Sequence, residues 1–125
     1  MRFLCLLLIC CLILTACSST SNSSSVNEHA KHTPSLDVKL DIEDNQVTVK
    51  VNTDMTISPE HYGKARQDGE GHIHMYLDNG AKVAVKQGQQ VFPNLSQGKH
   101  TLKVSLHNND HTPYDVTKTY DFEIK

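Results

Sequence analysis

From residue 71 to residue 78 the chain reads Gly-His-Ile-His-Met-Tyr-Leu-Asp, with Ile73, Met75 and Leu77 on one side of an extended strand and His72, His74 and Tyr76 on the other. A two-residue period of this kind is a strand signal, and its apolar side has to be buried against a second layer. Asn79-Gly80 follows, a pair that suits a type I′ hairpin because both residues tolerate positive φ. The strand therefore belongs to a sheet with one core face and carries two histidines on its outer face.

The same alternation recurs along the chain. Leu36, Val38, Leu40 and Ile42 are followed, after Glu43-Asp44-Asn45, by Val47, Val49 and Val51, which reads as a hairpin whose second strand runs on through Met55 and Ile57 until Pro59. Residues 59–70 show no period and read as a long polar connection. Ala81, Val83 and Val85 form the return strand after Asn79-Gly80, and Val91-Phe92 with Leu95 form a short strand interrupted by Pro93. Leu102, Val104 and Leu106 face inward while Thr101, Lys103, Ser105 and His107 face outward, and residues 108–113 are a turn by composition. Tyr114, Val116, Tyr120, Phe122 and Ile124 line the last strand; Lys118 falls in their phase, which predicts a bulge or an edge position.

No segment has helical periodicity. Short strands separated by Gly, Pro and Asn predict an all-β fold over residues 35–125, an antiparallel immunoglobulin-like β-sandwich of about seven strands. A domain of about 90 residues buries a single core with little to spare.

The N-terminus has a different character. Met1-Arg2 precedes an apolar run over residues 3–14, too short for a bilayer span of roughly 20 residues and suited to a secretory signal. The run ends in Leu14-Thr15-Ala16-Cys17, which resembles the lipobox of bacterial lipoproteins. That resemblance implies a signal peptide over residues 1–16 and lipid on Cys17, with acyl chains such as palmitate anchoring the protein to a bacterial membrane outside the cytoplasm. Residues 17–34 are rich in Ser, Thr and Asn and form a tether that, as a coil, spans ~20–25 Å. His29 and His32 lie in it as solvated linker residues. Of the four cysteines, three leave with the signal and the fourth is Cys17, so no thiol remains for a disulfide or a metal.

Gly71-His72-Ile73-His74, then residues 98–106 reading Gly-Lys-His-Thr-Leu-Lys-Val-Ser-Leu, then Asp110-His111-Thr112-Pro113, resemble small exported bacterial domains of unknown function. Those domains share a Gly-His-x-His strand and a Gly-x-His-Thr-Leu strand ending in Asp-His-x-Pro. The resemblance implies an immunoglobulin-like fold and no particular activity.

All eight histidines lie beyond the signal. Phase separates them. His100 shares the phase of Leu102 and Val104, which places it at the lip of the core with a hydrogen-bond partner, and His61 falls in the aperiodic loop. In immunoglobulin order the strands bearing His72-x-His74 and His107 are the third and sixth, antiparallel neighbours in one sheet. That brings His72, His74 and His107 together, with His111 or Asp110 supplied by the following turn. Imidazole-rich ligation without thiolates selects copper(II) or zinc, and proton competition is expected as pH falls through ~6.5. The other reading is a cell-envelope protein-interaction module in which these histidines only fix a turn.

Other functions find little support. The chain has no His-Glu-x-x-His, Gly-x-Ser-x-Gly or phosphate loop, so it is not expected to be an enzyme. Without Arg2 it carries 11 basic and 14 acidic side chains and no basic stripe, which argues against nucleic acid. Protonating all eight histidines would turn the resulting charge of −3 into +5, so association with partners is expected to depend on pH.

Overall fold

The computed structural model describes residues 31–125. The expected signal sequence, the expected lipidation position Cys17, His29 and most of the expected tether, up to residue 30, lie outside the described residues. Eight strands follow in order: β1 (Asp37–Glu43), β2 (Gln46–Asn52), β3 (Thr56–Ile57), β4 (Glu70–Leu77), β5 (Val83–Val85), β6 (Gln89–Phe92), β7 (Gly98–Asn108) and β8 (Pro113–Ile124). Between β3 and β4 there is one 3-10 turn, Pro59–His61. No helix among the described residues is long and apolar enough to cross a membrane.

The strands form two sheets. One has the order β1-β2-β6; the other has the order β3-β4-β7-β8, with β5 also on β4. All pairings are antiparallel except the two-residue match of β3 with β4. The core lies between the sheets and is built from the inward residues that alternation picks out: Val47 and Val49 from β2, Ile73 and Met75 from β4, Leu102, Val104 and Leu106 from β7, Phe122 and Ile124 from β8. Leu77, expected inside, is only partly buried because it stands at the end of β4, where the chain turns.

Several local expectations are corrected. The hairpin turn after β4 centres on Asp78 (φ 50°) and Asn79 (φ 56°), one residue earlier than Asn79-Gly80 suggested, with Gly80 N donating to Leu77 O at 2.8 Å. Asp78 makes the earlier turn favourable, because its carboxylate accepts from Thr101 N at 2.8 Å and bonds His100 at 2.7 Å. Gly80 still matters, since a Cβ there would lie 2.9 Å from Leu77 O. The segment after β2 does not continue that strand: Thr56–Ile57 crosses to the other sheet and pairs with Glu70 and Gly71. Its neighbour Met55 is buried in the core.

Lys118 lies on β8, which pairs only with β7, so its in-phase position is tolerated at a sheet edge. The bulge is nearby. Between the pairs Ser105–Thr117 and His107–Pro113, residues 114–116 of β8 stand opposite Leu106 alone, and Asp115 has φ 62°. This bulge lets Tyr114 turn into the core, where it is 4% exposed and its hydroxyl donates to Glu70 O at 2.8 Å. Just before β3, His32 Nε2 sits 3.1 Å from Asp54 and remains half-exposed, while Ser35 N and Oγ bond the same carboxylate.

Candidate metal centre

The pairing of β4 with β7 sets His72 directly opposite His107 and His74 opposite Ser105. These are the fourth and seventh strands, and their adjacency is the one expected from immunoglobulin order. Gly71 makes the approach possible: a Cβ there would stand 1.9 Å from His107 O. The chain then turns at Asn108, which holds the turn with its N donating to Thr112 O at 2.8 Å and its Nδ2 donating to the same oxygen at 3.1 Å. His111 N donates to Asn108 O at 3.0 Å, and His111 itself is left-handed (φ 69°). That conformation is uncommon for a residue with a side chain. The turn brings the His111 ring to 4.9 Å from His72, centroid to centroid.

All four suspected histidines therefore meet, but not on an open surface. His72 is 1% and His74 3% exposed, contrary to the expectation of a solvent-facing pair. The polar connection, which gave no period, folds over His72 and His111. Tyr62 sits edge-on to His72 at 4.6 Å and to His111 at 4.7 Å. Its segment is pinned by Gly63 N donating to Asn109 O at 2.8 Å, Ser58 N donating to Gly71 O at 3.1 Å, and His61 Nδ1 bonding Glu70 at 2.7 Å. Tyr62 was missed by sequence reasoning; an aromatic beside a glycine in an otherwise polar loop was the available signal.

The histidines divide by what their nitrogens do. His72 Nε2 and His74 Nε2 are 2.9 Å apart, and His111 Nδ1 lies 3.2 Å from His72 Nε2. The ligand atoms of these three residues all fall within 4.8 Å of one another. His107 is engaged differently: its Nδ1 donates to His111 O at 3.0 Å, so its Nε2 accepts from Ser105 Oγ at 3.0 Å. Its ring packs 3.8 Å from that of His74. His107 thus holds the turn that carries His111 and supports His74, outside the converging triad. Asp110 is also committed elsewhere, to Thr112 N at 3.0 Å and to Arg66 at 3.8 Å. His61 is taken by Glu70, and His100 spans Asp78 at 2.7 Å and Ser96 O at 2.8 Å.

Burial, followed by the charges of neighbouring histidines and of Lys82, pushes His72 down to about 4 and His74 to about 3. Burial also lowers His107. At neutral pH the two buried rings of the triad are neutral, each with one N–H and one lone pair. The single in-plane lone pair of His72 Nε2 can accept a proton from either His74 or His111, so protons alone cannot satisfy both approaches. A cation can. Two nitrogens each about 2.0–2.1 Å from a zinc ion, at angles of about 90–110°, are separated by about 2.9–3.4 Å. Binding through both Nε2 atoms puts the ring protons on Nδ1 of His72 and His74, neither of which meets an acceptor among the described residues.

No family model and no curated protein matches the chain. Solved structures that share its fold include the PKD1 domain of Vibrio anguillarum Epp, with 11% identity and a TM-score of 0.52 over 76% of this chain and 96% of that one. Another is the PKD1 domain of the Vibrio cholerae metalloprotease PrtV, with 10% identity and a TM-score of 0.50 over 74% of this chain and 98% of that one. At these identities the likeness is one of fold: the chain is similar to PKD domains in being an immunoglobulin-like β-sandwich.

Proposed function

We propose that the chain is an exported, lipid-anchored β-sandwich that binds a transition metal, copper(II) or zinc, through His72, His74 and His111. It acts as a binding protein rather than an enzyme, and nucleic acid is not its partner. The observation that carries the reading is the convergence of three imidazole nitrogens, with separations of 2.9 and 3.2 Å, at a place where two of the rings are buried and neutral. Neutral imidazole without thiolate suits copper(II) and zinc. Anchoring rests on the lipobox-like Leu14-Thr15-Ala16-Cys17.

Calorimetric titration of the detergent-solubilised chain with copper(II) and with zinc tests the reading. A site of micromolar or tighter affinity, lost in His74→Ala and in His111→Ala, is the expected result. Binding that ignores both substitutions, or no binding, would sink it.

The second reading is an envelope interaction module with structural histidines. It is favoured by the bonds of His107 to His111 O and Ser105, which fix the β7–β8 turn without any metal. The fold likeness to PKD domains accords with such a module equally well.

A further inference from the structure

The charges around the histidine cluster are one-sided. Ala84 pairs with His74 across β5 and β4, so Lys82 and Lys86, two residues to either side, share the face of the sheet that carries His72 and His74. Lys86 Nζ lies 3.8 Å over the ring of Tyr62, which packs against His72 and His111. Both lysines act on His72, and Lys82 acts also on His74 and His107. The nearby carboxylates have other partners: Glu70 holds His61 at 2.7 Å and Asn109 at 3.3 Å, and Asp110 holds Thr112 and Arg66.

A divalent ion on three neutral nitrogens would thus keep its full charge in a half-buried site beside two ammonium groups. Uncompensated charge in such a place is costly. Zinc and copper(II) also take a fourth ligand when three come from the protein. His111 is exposed, so the triad borders solvent on that side.

We infer that the metal-loaded site takes a small oxyanion, carboxylate or phosphate, as its remaining ligand, with Lys82 and Lys86 compensating the anion's charge. This rests on the metal reading above. The lysines recruit the anion and contribute nothing to holding the metal, which they repel.

The test uses the full chain in detergent, loaded with copper(II) and titrated with acetate in one arm and inorganic phosphate in the other, followed by electron paramagnetic resonance. The expected result is a spectral shift with one or both anions, at least about tenfold weaker in the Lys82→Ala/Lys86→Ala double variant. Lys103→Ala, whose Nζ lies over Tyr76 at 4.4 Å on the same face, should leave the anion response unchanged. The arm that responds names the anion class. Copper binding with a spectrum indifferent to both anions, or an anion response untouched by the double substitution, would overturn the inference and leave the metal site standing. A phenolate-to-copper band lost in Tyr62→Phe would also overturn it, because the anion would be the protein's own. Failure to bind copper at all would remove the metal reading, and this inference with it.

Discussion

Gly71 and His107 lie so close across β4 and β7 that a methyl group on Gly71 would stand 1.9 Å from the His107 carbonyl oxygen and 3.0 Å from Met55 Sδ. The glycine of the Gly-His-x-His segment is thereby explained by packing. Gly71→Ala must push β7 away or distort it, at a cost of about 1–3 kcal/mol or more. Urea denaturation should report that loss, and metal affinity should fall with it because His72 follows Gly71 directly. A variant as stable as the parent would contradict the geometry.

Leu102 is fully buried between the sheets, whereas Leu77 is only partly buried. Leu102→Ala should therefore cost ~2–5 kcal/mol, and Leu77→Ala distinctly less. Equal losses in chemical denaturation would place Leu77 in the core after all.

The metal-free chain should lose stability in acid. His72 falls to about 4 and His74 to about 3 in the fold, against an ordinary value near 6.5, so the unfolded chain takes up protons first. Their contribution is fully present above pH ~6.5 and is lost as pH falls toward those two values. Melting temperature followed from pH 7 to pH 4 should drop, and the drop should be shallower in His74→Phe. A slope identical in the two proteins would refute the assignment.

His100 gives the opposite sign. Bonds to the Ser96 carbonyl and then to Asp78 raise it, so its contribution is complete below pH ~6.5 and is lost as pH rises through its raised value. Asp78, held low by His100, loses its own contribution only as pH falls through its depressed value. His100→Gln should flatten the alkaline side of the stability profile, measured by urea titration from pH 6 to pH 9. An unchanged alkaline limb would show that His100 does not hold its proton more firmly in the fold than in the unfolded chain.

Cys17→Ser should release the protein from membranes or leave it unprocessed. Fractionation, with mass spectrometry of the mature N-terminus, reads this directly. An unmodified residue at that terminus would end the lipoprotein proposal.

The two-residue period determined much by itself. Ile73, Met75, Leu102, Val104 and Leu106 were legible as core because alternation in a strand assigns side chains to faces irrespective of what lies above them. The pairing of His72 with His107 followed once a sandwich with immunoglobulin order was assumed, and His100 was legible as a lip residue from its phase. Phase cannot say whether the outer face meets water. Tyr62 and a polar loop, whose course depends on the bonds of Gly63 to Asn109 and of His61 to Glu70, cover His72, while His74 packs 3.8 Å from the His107 ring. The division of labour among the histidines was likewise tertiary: the left-handed His111 swings its ring toward His72, while His107 is tied to a carbonyl and a hydroxyl. Local alternation is a backbone property and can be read from the sequence; which nitrogen meets which partner depends on side chains brought together from residues 62, 72, 74, 107 and 111, and only the folded chain sets those contacts.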